Sequence, residues 1–101
     1  MKIGIDIQNI MIYFRFPDRI FTQGERDYIK SKKDSAQTMT GIWCAKEAYF
    51  KAKGGGVTPN NLLTVEVGHY ENGAPYYIND QEASLSISHT KGVAVAVCII
   101  S

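Results

Sequence analysis

Three consecutive glycines at residues 54–56 divide the chain into two segments with different hydrophobic periods. Before them, an Ala-, Lys- and Glu-rich stretch begins at Asp34 or Ser35, either of which can cap a helix. The glycines end that helix after about five turns at 3.6 residues per turn. After them the apolar residues alternate with a period of two, which is typical of strands. The chain therefore has to combine a long helix with a sheet, and the predicted fold class is α+β.

Further elements follow from the same reading of the pattern. Ile3, Ile5 and Ile7 alternate with polar residues, which predicts a half-buried strand with Asp6 opposite the isoleucines. Thr22 and Glu25 have the spacing of a capping box, so a shorter helix is expected to run to about residue 32. Strands are predicted at residues 63–67, 76–78, 84–88 and 93–100, in a largely antiparallel sheet, with the last buried on both faces.

The length of 101 residues predicts a single domain over residues 1–101, with a modest core that oligomer formation would enlarge. The sequence has no apolar run of eighteen residues and no signal-peptide pattern, so we expect a cytoplasmic protein without a membrane partner. The two cysteines lack metal or redox spacing, so they are interpreted as free buried thiols.

The charge is spread unevenly along the chain. Residues 1–53 carry ten Lys/Arg against six Asp/Glu, and residues 54–101 carry one Lys against four Asp/Glu. The basic residues between positions 15 and 33 are either a solvated surface or an attraction for an acidic protein or a phosphate-rich ligand. The net charge of +1 is too small to favour a nucleic-acid partner.

Two acidic residues are the strongest candidates for chemistry. Glu47 and Lys51 lie one helical turn apart, a spacing that is also that of a surface ion pair. Asp6 could be a structural carboxylate. If the fold brings Asp6 beside Glu47, the two carboxylates repel each other unless they share a cation, and Mg²⁺ commonly takes one or two carboxylates plus phosphate oxygens.

Two further segments could bind phosphate groups. The glycines at residues 54–56 allow close approach of a ligand to the backbone, although a simple helix cap would also explain them. Hydroxyls and an imidazole follow one another at residues 86–90, where phosphate oxygens could accept hydrogen bonds. His69 has no supporting motif and is assigned no role.

The order of these motifs resembles the acyl-carrier-protein synthase type of 4′-phosphopantetheinyl transferase nearly from end to end. The motifs are Gly4-Ile5-Asp6-Ile7, Phe21-Thr22 with Glu25, Trp43-Cys44-Ala45-Lys46-Glu47-Ala48 with Lys51, Gly73-Ala74-Pro75, and Ser86-Ile87-Ser88-His89-Thr90. The resemblance implies that fold, a homotrimer with active sites between subunits, and transfer of phosphopantetheine from coenzyme A to a serine of an acyl carrier protein. Adenosine 3′,5′-bisphosphate would be released.

The resemblance also implies roles for individual residues. Asp6 and Glu47 would bind Mg²⁺, Glu47 or a metal-bound water that it orients would accept the serine proton, and Lys51 would offset charge on the transferred group. Residues expected to contact coenzyme A are Lys46, Lys51, Gly54, Gly56, Gly73, Pro75, Ser88, His89 and Thr90. Residues expected to dock the acidic carrier protein are Arg15, Arg19, Arg26 and Lys30.

Three positions depart from the family's pattern. Asn9 stands where relatives usually have Glu, and Ile12 and Ile42 stand where they have Arg. Loss of the two arginines should weaken phosphate or carrier contacts. An alternative hypothesis is therefore a non-catalytic family member that binds a carrier protein or a nucleotide. A metal-dependent nuclease is a more distant one, because its acid–x–lysine element is absent.

Overall fold

The computed structural model describes residues 1–10 and 16–101, and in these a long helix covers one face of an antiparallel sheet. The two helices are α1 (Gln23–Ser31) and α2 (Ser35–Ala52), preceded by a 3₁₀ turn at Asp18–Ile20. The strands are β1 (Lys2–Asn9), β2 (Val67–His69), β3 (Pro75–Tyr77), β4 (Ala83–His89) and β5 (Val93–Ile100). No helix of these residues is both long and apolar enough to cross a membrane.

Both helices have the caps that the sequence predicts. Thr22 and Glu25 form the reciprocal capping box of α1, and Asp34 caps α2 by accepting a hydrogen bond from the Gln37 backbone N–H. Gly54 ends α2 with a φ of 88°, a left-handed conformation that favours glycine. The presence of glycine at position 54 is therefore explained by the helix cap alone.

The sheet has the strand order β1-β5-β4, with both pairs antiparallel, and β2 and β3 form a separate hairpin. Alternate residues of β5 pack against α2: Ala94, Ala96, Cys98 and Ile100 are buried, and the residues between them are only half-buried. The prediction that β5 is buried on both faces is thus wrong for the chain by itself, because the helices cover only one face of the sheet.

The same one-sided packing decides which face of β1 is inside. Gly4 lies so close to α2 that a Cβ atom there would collide with the carbonyl oxygen of Ala48. The buried face of β1 therefore carries Gly4 and Asp6, whereas Ile3, Ile5 and Ile7 are 60%, 58% and 64% exposed. Asp6 does lie opposite the isoleucines, as the alternation predicts.

One predicted strand is misplaced. The structure has turns over residues 59–63, and β2 begins only at Val67, although Leu63, Val65 and Val67 alternate correctly for a strand. The carbonyls of Leu62 and Val65 accept hydrogen bonds from the Lys46 ammonium group, so a side chain satisfies backbone groups that a strand would have paired.

Candidate active site

The centre of the candidate site is a carboxylate cluster, by which we mean Asp6, Glu47 and Lys51. Asp6 reaches it because Gly4, two residues earlier, lets β1 touch the backbone of α2. Glu47 and Lys51 lie one turn apart on α2, so their side chains leave the same side of the helix. Asp6 lies about 40 positions before Glu47 and Lys51 in the sequence, so only tertiary packing can bring the three side chains together.

Lys51 pairs with Asp6 and not with Glu47, the partner that the sequence spacing suggests. Lys51 Nζ lies 3.0 Å from Asp6 Oδ1 and also donates to the Ile5 carbonyl at 3.1 Å. The other Asp6 oxygen, Oδ2, accepts a hydrogen bond of 3.2 Å from Gln8 Nε2. The ion pair therefore ties the helix to β1, and the simple surface pair between Glu47 and Lys51 is not what forms.

The electrostatics of the cluster favour an additional positive charge. Partial burial raises the pKa of Glu47, the negative charge of Asp6 raises it further, and Lys51 opposes both effects. Burial and then Asp6 raise the pKa of the neighbouring Cys44 thiol to about 12, so Cys44 stays protonated. One lysine thus does not neutralise the two carboxylates, and Glu47 retains a bias towards accepting a proton.

The donor set of this cluster suits Mg²⁺ and not a metal held by protein ligands alone. Among the described residues no three His, Cys, Asp or Glu side chains come together as a metal site. Mg²⁺ characteristically takes one or two carboxylates and completes its shell with water and substrate phosphates. Asp6 and Glu47 fit that requirement, since their repulsion would be relieved by a shared cation.

A second feature is a cleft of about 160 Å³ that opens between the hairpin, β4 and the first half of α2. We call it the histidine cleft, because two histidines line it. Its walls come from α1 and α2 (Tyr28, Gln37, Thr38, Gly41 and Ile42), from the hairpin (His69, Gly73 and Pro75) and from β4 (Ile87 and His89).

Three of the residues predicted to contact coenzyme A meet in this cleft. Gly73, at a φ of 90°, lies in the hairpin turn, and Pro75 begins β3. His89 Nε2 lies 3.1 Å from Gln37 Nε2. Ser88 and Thr90 do not line the cleft. Ser88 lies on the opposite face of β4 from His89 because neighbours in a strand alternate.

Lys46 occupies a different place from the one predicted. Its side chain is 0% exposed, with Nζ 2.8 Å from Glu25 Oε1 and further bonds to the Leu62 and Val65 carbonyls. Its three ammonium donors are used within the chain, so the prediction that Lys46 contacts the cofactor is corrected to a structural role. The capping box could have indicated half of this pair, because it already placed Glu25 at a helix start.

The predicted docking residues are only partly free. Arg19 and Lys30 are exposed, whereas the Arg26 guanidinium group bonds to the Asp18 and Phe21 carbonyls and to Gln23. Arg26 therefore stabilises the corner before α1 in addition to any surface role. Arg15 and the departure at Ile12 lie outside the described residues. Gly54 and Gly56 are both exposed beside the end of α2.

The histidine cleft also contains residues that the sequence did not single out. His69, which had no motif, stacks in parallel on Tyr28 with ring centroids 3.7 Å apart. Ile42 is 1% exposed and lines the same cleft, at the position where an arginine was expected from relatives. Residues such as Thr38 and Ile42 could not be predicted as cleft residues from the sequence, because most hydroxyl and apolar side chains occupy ordinary surface or core positions.

Comparison with known proteins agrees with this fold and these motifs. Residues 2–98 match the family model described as the 4′-phosphopantetheinyl transferase superfamily. The holo-[acyl-carrier-protein] synthase of Finegoldia magna is 35% identical over 100 residues, which cover 93% of this chain and 85% of that protein. That of Bacillus cereus is 39% identical over 110 residues, covering 97% and 92%.

A solved structure is equally close. The holo-(acyl-carrier-protein) synthase from Bacillus anthracis, in complex with coenzyme A (3′,5′-ADP), superposes with a TM-score of 0.85 at 36% identity, covering 98% of this chain and 94% of that one. This chain therefore belongs to the 4′-phosphopantetheinyl transferase superfamily and is a transferase of the holo-(acyl-carrier-protein) synthase type.

Proposed function

We propose that residues 1–101 form one transferase domain that moves the 4′-phosphopantetheine group of coenzyme A onto a serine of an apo acyl carrier protein. Mg²⁺ is required in this proposal, and adenosine 3′,5′-bisphosphate is the product released. The observation that carries it is the meeting of Asp6, Glu47 and Lys51 in a fold shared with holo-(acyl-carrier-protein) synthases.

Each residue of the cluster has a task in the proposed reaction. Asp6 and Glu47 hold the Mg²⁺ ion, which when bound neutralises charge on the diphosphate. Lys51, anchored by Asp6, is directed to the phosphate that is attacked and stabilises the charge there. Glu47, or a metal-bound water that it orients, would accept the serine proton, since a carboxylate beside the bound metal can hold either the proton or the water in position.

We also propose that the active site is shared between copies in a homotrimer. Gln37 in the histidine cleft and Glu47 in the carboxylate cluster are ten residues apart on α2, which is about 15 Å along a helix axis. The exposed isoleucines of β1, together with the half-buried outer residues of β5, form an apolar face that one chain leaves uncovered.

The trimer has its own test. Ile5→Glu places a charge in the uncovered face and should convert the trimer into monomers, as native mass spectrometry would record. Gln81→Glu, which adds the same charge at an exposed turn, should leave assembly unchanged. A trimer that survives Ile5→Glu would contradict the assignment of this face.

The reaction is tested by intact mass spectrometry of an apo acyl carrier protein incubated with this chain, coenzyme A and Mg²⁺. We expect a mass gain of one phosphopantetheine that disappears with EDTA. No gain with several carrier proteins, while the chain is folded and trimeric, would favour the non-catalytic alternative. Cleavage of a nucleic acid without any binding of coenzyme A would favour the nuclease.

A further inference from the structure

The side-chain amide of Gln8 has no task in the proposed reaction, yet it touches the carboxylate cluster. Its Nε2 atom lies 3.2 Å from Asp6 Oδ2, while Lys51 Nζ lies 3.0 Å from Asp6 Oδ1. An ionised carboxylate can only accept hydrogen bonds, so the amide has to turn its N–H towards Asp6. Each oxygen of Asp6 therefore has a donor from the chain, and each keeps lone-pair capacity for a further partner.

The backbone of β1 brings Gln8 to this carboxylate. Gly4, Asp6 and Gln8 share the face of β1 that packs towards α2, because successive side chains of a strand point to opposite sides. The residues of β5 that pair with Asp6 and Gln8 are Ala96 and Ala94, whose methyl groups offer no hydrogen bond. A carboxylate that is only 6% exposed therefore depends on donors such as the Gln8 amide.

The donors around Asp6 differ in charge. Lys51 is positively charged, and its side chain is 46% exposed, so it repels a cation that approaches Asp6 and is free to move away from it. Gln8 is half-buried and neutral, so it restrains the carboxylate without adding to that repulsion. The neighbouring Cys44 thiol, a weak donor, is directed to the Ala94 carbonyl at 3.6 Å. The Gln8 amide is therefore the donor that can stay bonded to Asp6 when a cation arrives.

Glu47 lacks a comparable restraint. Its carboxylate accepts no hydrogen bond from any residue that the structure describes, so its orientation is left to the ligand that binds there. Side chains that hydrogen-bond to metal ligands commonly fix the orientation of those ligands. We propose that Gln8 is a positioning residue for the metal, because it holds Asp6 in the orientation in which Asp6 and Glu47 share one ion. Gln8 acts through Asp6 and is not itself a ligand.

A fixed carboxylate matters more to a small ion than to a large one. Mg²⁺ demands a nearly ideal octahedral arrangement of oxygens, whereas Ca²⁺ accepts a flexible and variable shell. Without the Gln8 amide, Asp6 can still join a Ca²⁺ shell, but fewer of its conformations meet the geometry that Mg²⁺ requires. Gln8 should therefore contribute to a preference of the carboxylate cluster for Mg²⁺ over Ca²⁺.

Melting temperatures of the full chain during titration with Mg²⁺ or Ca²⁺, with and without coenzyme A, test this inference, which rests on the proposed function. The titrations give a dissociation constant for each ion, because a ligand of the folded state stabilises it. Gln8→Met keeps the length of the side chain and removes the amide. It should raise the Mg²⁺ dissociation constant about tenfold or more. The Ca²⁺ constant should rise by no more than about threefold, because Ca²⁺ tolerates a less ordered carboxylate.

The control variant is Gln81→Met, the same change at an exposed turn, which should leave both dissociation constants as in wild type. An unchanged Mg²⁺ constant in Gln8→Met would overturn the positioning role. Equal losses of Mg²⁺ and Ca²⁺ affinity would overturn it as well, since they would mean that Gln8 supplies an oxygen to the metal or that the whole site is disturbed.

Side-chain NMR adds a measurement that needs no variant of Gln8. In ¹⁵N-labelled wild type, the hydrogen-bonded amide proton of Gln8 should resonate downfield of those of Gln81, an exposed glutamine. The downfield signal should persist when Mg²⁺ is added, because the neutral donor stays with Asp6. A Gln8 signal that matches that of Gln81 in either state would contradict the proposed role.

The outcomes also distinguish this inference from the proposed function. A protein that transfers phosphopantetheine with Mg²⁺, but whose Mg²⁺ affinity is the same in Gln8→Met, would remove only the inference. A wild-type protein that responds to Mg²⁺ neither in melting nor in transfer would remove both, because the carboxylate cluster would then hold no metal.

Discussion

Lys46 Nζ lies 2.8 Å from Glu25 Oε1, and both side chains are completely excluded from solvent. Glu25 also accepts hydrogen bonds from the Thr22 and Val67 backbone N–H groups, so the pair connects α1, α2 and the start of the hairpin. Burial lowers the pKa of Lys46, and Glu25 partly offsets that effect. The residue before Glu47 is therefore held in position by an ion pair that is completely excluded from solvent.

Removing one member of this pair should be costly. Lys46→Met leaves Glu25 as an unpaired buried charge, and we expect a loss of about 3–5 kcal/mol in the free energy of unfolding, measured with urea. Glu25→Gln/Lys46→Met should recover part of that loss, because the amide oxygen can still accept from Thr22. Lys2→Met, at an exposed position, is the control. A loss below about 1 kcal/mol for Lys46→Met would contradict this account.

Glu47→Gln should lose activity and gain stability in the metal-free protein. The folded pKa of Glu47 lies above its ordinary value of 4.5, so ionisation of this group costs stability as pH rises through 4.5 towards the folded pKa. In EDTA at pH 7, Glu47→Gln should therefore melt at a higher temperature than wild type, and the difference should vanish below pH 4.5. We expect kcat to fall about 10²- to 10⁴-fold, as for loss of a general base.

Metal dependence supplies the control for the Glu47 prediction. Mg²⁺ should raise the melting temperature of wild type, because a ligand that binds only the folded state stabilises it, and should raise that of Glu47→Gln much less. Glu82→Gln, an exposed change, should respond as wild type does. An equal response of wild type and Glu47→Gln would argue against Glu47 as a metal ligand.

A shared active site predicts complementation between two inactive variants. Asp6→Asn impairs the carboxylate cluster, and His89→Gln impairs the histidine cleft. If each site takes one part from each of two copies, about a quarter of the sites in a random mixed trimer contain two intact parts. Co-expressed variants should therefore show several times the activity of either variant alone. An activity equal to the mean of the two separate variants would place both parts in one copy.

Carrier docking should depend on the exposed basic residues near α1. Arg19→Glu and Lys30→Glu should each raise KM for the carrier protein several-fold and leave KM for coenzyme A unchanged, since they reverse a charge facing an acidic partner. The wild-type KM for the carrier should rise with salt, as screening predicts. Lys91→Glu, another exposed lysine, is the comparison. The same increase in Lys91→Glu would show that only net charge matters.

Much of the local structure could be predicted from short stretches of sequence. The capping box at Thr22, the glycine at the end of α2 and the turn at Gly73 each appear where expected, because caps and turns depend on a few adjacent residues. The strand predicted from Leu63 failed because its backbone is engaged by Lys46, a partner 16 residues earlier that no alternation pattern reveals.

The residues of the carboxylate cluster were identifiable from sequence, but their pairing was not. Spacing alone favoured Glu47 with Lys51, whereas the close packing of Gly4 on α2 brings Asp6 to Lys51 instead. The burial of Lys46 was equally invisible, because lysine is almost never fully buried unless it is paired.

The sequence by itself determined the helix ends, the turns, the α+β class and the candidate chemistry, since each depends on residue types and neighbours along the chain. The tertiary structure decided which face of the sheet is covered, which carboxylate meets the lysine, and that Lys46 is buried while His69 enters a cleft. These outcomes depend on contacts between distant segments, and on the desolvation and charge that such contacts impose.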